Sequence, residues 1–125
     1  MPTRHMVSII DDDYSFRRAT ARLMRSLGHK VAAFCSAEEF LKSGRVEDTG
    51  CLISDVQMPG MNGIELQNHL RDQGYALPII FVTAYPESRA RSQALASGAL
   101  GFFNKPFNEE NLISCVAQAL SQSRA

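Results

Sequence analysis

This chain is short of several things, and each shortage excludes a class of protein. It has no surplus charge: 13 Lys and Arg stand against 13 Asp and Glu, with three His left neutral. Without net charge there is no long-range field of the kind that drives tight, non-specific nucleic-acid binding, so direct nucleic-acid contact by this chain is not expected. No stretch approaches the ~20 apolar residues of a membrane span. Residues 1–5 lead into only a short apolar run, Met6–Ile10, before three aspartates. That is too little for the core of a signal peptide. Cysteine is scarce, odd in number and widely spaced, at Cys35, Cys51 and Cys115. Such cysteines read as buried free thiols in a reducing compartment, not as a disulfide framework or a metal site. The expectation is a cytoplasmic protein, neither secreted nor membrane-bound.

What is present is ordinary globular composition: 125 residues, 45% apolar and 21% charged. A single domain over residues 1–125 is expected. A chain of this size buries roughly two thirds of its unfolded surface and needs no disulfide or metal staple. Short apolar runs recur at Met6–Ile10, Val31–Phe34, Cys51–Ile53, Ile79–Thr83 and Leu100–Phe103. They are too short for helices, most are β-branched or aromatic, and several lack the alternation of a half-exposed strand. A sheet covered on both faces produces that pattern.

Helical patterns lie between them. Phe16, Ala19, Leu23 and Leu27 make one stripe, stopped by Gly28. Ser36 with Glu39 forms a capping-box signal before Phe40 and Leu41, closed by Gly44, and Asn62 with Glu65 repeats it before Gly63, Leu66 and Leu70. Pro86 suits the first turn of an alanine-rich helix ending near Gly98. Asn108 caps the last helix, with Leu112, Ile113, Val116, Ala119 and Leu120 as its apolar face. The residues Ser121–Ala125 read as a fraying end or the start of a linker. Strand and helix thus alternate five times, which implies right-handed crossovers and a parallel sheet between helices. In such sheets ligands bind beyond the carboxyl ends of the strands.

Those ends are polar. The first strand runs into Asp11-Asp12-Asp13, the third into Asp55, the fourth ends in Thr83-Ala84, and Asn104-Lys105-Pro106 follows the fifth. If Asp11, Asp12 and Asp55 converge, three carboxylates share one cleft. Two like charges ~4 Å apart repel by about 4 kcal/mol at an effective dielectric near 20, so either one is protonated or a cation joins them. Hard oxygen donors without a nearby His or Cys favour Mg²⁺ over zinc, and Mg²⁺ works through phosphate oxygens. Together Mg²⁺ and Lys105 balance the three carboxylates. Asp55, followed by the turn-rich Val56-Gln57-Met58-Pro59-Gly60, is placed to attack a phosphoryl group. Thr83 and Lys105 are placed to hold phosphoryl oxygens. The Lys105–Pro106 bond is expected to be cis, aiming the amine inward.

Taken singly, each residue has a plainer reading. The aspartate triplet suits a helix N-terminus, Asp55 a turn cap, Thr83 a strand position and Lys105 a solvated surface. At least one of Phe102 and Phe103 should be ordinary core. The polar residues gain a joint meaning because they share one sheet edge.

Ile9-Ile10-Asp11-Asp12-Asp13, Asp55 with Met58-Pro59-Gly60-Met61-Asn62-Gly63, Val82-Thr83-Ala84 and Phe102-Phe103-Asn104-Lys105-Pro106-Phe107 together resemble the receiver domain of two-component response regulators. The likeness runs in order from about Met6 to Leu120. The Thr-Ala and Lys-Pro-Phe segments, with Gly98-Ala99, look most like FixJ-like receivers, which usually precede a DNA-binding module.

The resemblance implies a flavodoxin-like (βα)5 doubly wound α/β sandwich with a five-stranded parallel sheet in order 2-1-3-4-5. It implies Asp55 as phosphoacceptor from a histidine kinase or phosphotransfer protein. It also implies Mg²⁺ on Asp12, Asp55 and the backbone carbonyl of Gln57, with Asp11 acting through water. Thr83 and Lys105 would hold phosphoryl oxygens, and Phe102 would be the switch aromatic that reports on Thr83. The fourth helix, fifth strand and fifth helix, including Arg89, Arg91, Phe103 and Asn108, would change partner affinity and support a homodimer. Gln57 and Tyr85 would tune the lifetime of the acyl phosphate, with Tyr85 shielding it from water.

Three rivals share parts of the pattern. A flavin or nucleotide domain needs a glycine-rich phosphate loop after the first strand, where this chain has three acids. A carboxylate-nucleophile phosphatase usually carries a second acid at the position of Gln57. A phosphorylation-independent interaction module would have no use for the Asp-Thr-Lys set.

Overall fold

The alternating runs fold as strand and helix in strict turn. The computed structural model describes residues 6–85 and 87–122, and the expectations placed on residues 1–5, Pro86 and residues 123–125 lie outside the described residues. In chain order the elements are β1 (Met6–Ile10), α1 (Tyr14–Ser26), β2 (Lys30–Phe34), α2 (Ala37–Lys42), β3 (Thr49–Ser54), α3 (Gly63–Asp72), β4 (Ile79–Thr83), α4 (Ser88–Ala96), β5 (Gly101–Asn104) and α5 (Glu109–Gln122). All strand pairs are parallel, and the sheet runs β2-β1-β3-β4-β5. This is the flavodoxin-like (βα)5 sandwich.

Strand pleat sorts the apolar residues into two cores, because successive side chains point to opposite faces. Val7, Ile9, Cys51, Ile53, Ile80 and Val82 pack with Ala21 and Met24 of α1 and with Leu112, Val116 and Ala119 of α5. Ile10, Leu52, Ile79, Phe81 and Phe102 pack on the other face with Phe40, Leu66, Leu70 and Ala94 of α2, α3 and α4. Every residue of β3 and β4 is buried. The edge strand β2 is not covered on both faces: Lys30 and Ala33 are exposed, since β2 has a neighbour on one side only.

Several helix details differ from the sequence pattern. In α1 the buried residues are Thr20, Ala21 and Met24, whereas Ala19 is exposed and Leu27 is 42% exposed. The face against the sheet is turned by about one residue from the stripe, and Phe16 and Leu23 are left partly buried at its border. Asn62 and Glu65 form a complete capping box on α3. On α2 only half of the box forms: Ser36 accepts from the Glu39 amide, but the Glu39 carboxylate reaches past Ser36 to the amide of Cys35, 3.0 Å away. Cys35, past the end of β2, is therefore exposed. Cys115 is half-buried, and Cys51 alone matches the expected buried thiol. Helix α4 begins at Ser88, and Glu87 gives it no side-chain cap.

Candidate functional site

The sheet ladder itself sets the positions of the site. The amide of Asp11 donates to the Phe34 carbonyl (3.1 Å), that of Asp55 to Ile10 (3.0 Å) and that of Lys105 to Thr83 (2.8 Å). Each residue is thus held in register just beyond its strand, where the ladder ends and the side chain is free to converge with its neighbours. Carboxylate oxygens of Asp11, Asp12 and Asp55 lie within 4.8 Å of one another. Asp11 and Asp55 are buried and Asp12 is exposed.

The third member of the triplet has a separate job. Asp13 is the N-cap of α1, its carboxylate accepting from the amides of Ser15 and Phe16. The helix-cap reading therefore holds for Asp13, and the acid-cluster reading for Asp11 and Asp12. The Asp11 carboxylate is oriented by the Asp13 amide (2.9 Å), and its carbonyl accepts from the Arg17 guanidinium (2.7 Å).

Lys105 is not a solvated lysine. Its ammonium donates to Asp11 Oδ2 (2.8 Å) and to Asp55 Oδ2 (3.2 Å), and lies 4.0 Å from the centroid of the Phe16 ring. The Lys105–Pro106 bond is cis. Burial pushes the Asp11 carboxyl above its ordinary pKa, with the hydrogen bond from Lys105 opposing that rise. Burial pulls the Lys105 amine down, but its bond to Asp11 and the charges of Asp11 and Asp55 outweigh it and leave the amine above its ordinary value. Desolvation thus sets the direction at Asp11, and the neighbouring acids set it at Lys105.

Thr83 is buried at the tip of β4, and its hydroxyl oxygen accepts from the Tyr85 amide (3.2 Å). The Tyr85 side chain is 70% exposed, so most of its ring stands in solvent. Gln57 is exposed, and its amide donates to Asp55 Oδ1 (3.1 Å). Phe102 is buried, its ring 6.2 Å from that of Phe81, while the Arg91 guanidinium lies over it at 6.0 Å and donates to its carbonyl at 3.4 Å. Phe102 is thus core in this state and Phe103 half-buried on the opposite face.

Some contacts had no signal in the pattern. A Cβ on Gly63 would stand 2.5 Å from the Asp55 carbonyl oxygen and 2.8 Å from Phe81, so a glycine is needed where α3 closes on the strand tip. Spacing identified Gly63 only as part of a helix stripe. Phe16, Ala19, Leu23, Pro106 and Phe107 line a cleft of about 450 Å³ bordered by Lys105. Phe16, Ala19 and Leu23 of the α1 stripe form one wall of that cleft.

A divalent cation suits this donor set. Three carboxylates from two strand ends offer hard oxygens at one point, one of them solvent-facing, and a single ammonium leaves the cluster negative.

An acid cluster and a strand-end lysine thus meet at the carboxyl edge of a five-stranded parallel α/β sandwich. The chain belongs to the response regulator receiver domain family of two-component signalling; the family model matches residues 7–117. It is 37% identical over 122 residues to nodulation protein W of Bradyrhizobium diazoefficiens, covering 98% of this chain and 54% of that protein. It is 39% identical to response regulator protein TodT of Pseudomonas putida, covering 94% and 54%. The chain therefore spans about half the length of the curated relatives it matches. Among solved structures, FixJ-N superposes with a TM-score of 0.87 at 31% identity, covering 100% of this chain and 99% of that one. Response regulator StyR gives 0.88 at 40% identity, covering 94% and 60%. Among the described residues, no helix is long and apolar enough to cross a membrane.

Proposed function

We propose that this domain accepts a phosphoryl group on Asp55 from the phosphohistidine of a histidine kinase or phosphotransfer protein, and that the phosphorylated form regulates an output domain or partner. The single observation that carries this reading is the convergence of the Asp11, Asp12 and Asp55 oxygens with Lys105 bonded to two of the three acids.

In this reading Asp12, Asp55 and the Gln57 carbonyl would hold Mg²⁺, and Asp11 would act mainly through water. The ion, when bound, supplies positive charge against the oxygens of the transferring group. Asp55 supplies the attacking oxygen; a bond from that oxygen to phosphorus forms as the bond from phosphorus to the donor imidazole nitrogen breaks. The Gln57 amide on Oδ1 and Lys105 on Oδ2 orient the carboxylate before the donor arrives. Lys105 can exchange a carboxylate for a phosphoryl oxygen, because its flexible stem carries a point charge. The Thr83 hydroxyl donates to another such oxygen. Phosphorylation moves an existing equilibrium by its differential affinity for two states, and the Phe102 ring is the element that passes that preference to the α4-β5-α5 face. Through that face the domain pairs with a second copy. A cytoplasmic setting goes with a kinase-borne phosphohistidine.

The test is intact mass after incubation with Mg²⁺ and a small phosphodonor. One added phosphoryl group is expected in the wild-type chain and none in Asp55→Asn or in excess chelator. Incorporation that survives Asp55→Asn would remove the assignment.

A further inference from the structure

The loop from Asp55 to α3 is tied to the fold at both ends. Near the acid, the Gln57 amide donates to Asp55 Oδ1 and the Gly63 amide donates to the Val56 carbonyl (2.8 Å). At its far bend the tie comes from another element: Glu38, in the first turn of α2, accepts the Met61 amide on Oε2 at 2.9 Å. Two further observations make this more than a passing surface contact. Gly60 has φ +77, a left-handed conformation suited to glycine, and a Cβ there would stand 2.6 Å from Glu38 Oε2. The bend has therefore left the space that the carboxylate occupies. The Met61 bond also holds the Glu38 carboxyl below its ordinary pKa, so it is charged at neutral pH.

We propose that Glu38 is a positioning residue for the divalent-cation site, acting through the 56–61 loop to hold the Gln57 carbonyl where a cation needs it. This rests on the reading of the acid cluster as a Mg²⁺ site. Glu38 touches neither the acids nor a phosphoryl group. A loop fixed at one end can swing its middle residues; fixed at both, it presents the Gln57 carbonyl with little ordering left to do at the moment of binding, which is preorganisation. Losing the tie should weaken cation binding while leaving the chemistry at saturating cation alone.

The test is Mg²⁺ titration of the unphosphorylated chain by calorimetry, with amide hydrogen exchange of the loop alongside. Glu38→Ala is expected to raise the Mg²⁺ Kd several-fold and to speed exchange at Met61. Glu38→Gln keeps an acceptor oxygen and should recover most of the affinity. Phosphorylation of Glu38→Ala by a small phosphodonor should need more Mg²⁺ but reach the wild-type maximal rate. A Kd for Glu38→Ala equal to that of a wild-type chain that does bind Mg²⁺ overturns the proposal and leaves the site reading intact. A wild-type chain that binds no Mg²⁺ overturns both.

Discussion

The bodies of the central strands and two of the polar side chains at their carboxyl tips are buried to the same degree, yet their chemistry is opposite. Leu52, Ile53 and Ile80 are at most 1% exposed, and so are Asp11 and Thr83 at the strand ends. Burial of the apolar bodies is favourable at roughly 25 cal/mol per Å². Burial of the acids is unfavourable unless they are paired, and Asp11 keeps a raised pKa even with Lys105 beside it. The tips are thus not what holds the protein together. They are held in register by the strand ladder, which fixes Asp11, Asp55 and Lys105 just past their strands.

Substitutions at the two levels should separate accordingly. Leu52→Ala should lower unfolding free energy by about 2–5 kcal/mol, the usual range for a buried leucine. Asp55→Asn, which removes charge from a crowded cluster, should leave stability equal or higher. Urea denaturation of both variants measures this, and equal losses would erase the distinction.

Lys105→Met should cost about 1.5–3 kcal/mol at neutral pH, since it strips a charged hydrogen-bond donor from two acids. The sign with pH follows from its raised pKa. The lysine's contribution is fully present below its ordinary value of 10.5 and is lost as pH rises through the higher folded value. Melting curves toward alkaline pH should therefore show a fall in the wild type that is smaller in Lys105→Met. Asp11 follows the same sign in a lower pH range: its ionisation withdraws stability as pH rises from 3.8 through the raised folded value, so Asp11→Asn should be at least as stable as wild type at pH 7.

Gly63→Ala joins the two levels, because its Cβ would press on both the Asp55 carbonyl and the Phe81 ring. It should cost about 1–3 kcal/mol by overpacking and also slow phosphoryl uptake per folded molecule. Loss of stability with normal uptake would show that the strand tip tolerates the shift. The smallest effect is expected at Tyr85. With its side chain 70% exposed, Tyr85→Ala should speed loss of the phosphoryl group by a few-fold at most. An unchanged rate, followed by intact mass over time, rules out shielding by this ring.

Periodicity, caps and strand-end residues in the chain itself determined the βα alternation, the Asn62–Glu65 capping box and the group of polar residues at one sheet edge. They did so because pleat, helix pitch and capping are local, and an acid after an apolar run is visible without knowing its neighbours. The division of labour within Asp11-Asp12-Asp13 was not visible, since three identical residues differ only in where the backbone turns. The buried face of α1 differs from the stripe for a related reason: an amphipathic stripe gives an orientation only to within a residue or so, and packing on the sheet set the final rotation. Cys35 sat in an apolar pattern, but only the sheet order made it the end of an edge. The Lys105 bridge between Asp11 and Asp55, the Phe16 ring beside it, the Gly63 approach to Asp55 and the Glu38 tie all join residues far apart in the chain. Their distances are properties of packing, and tertiary structure alone decided them.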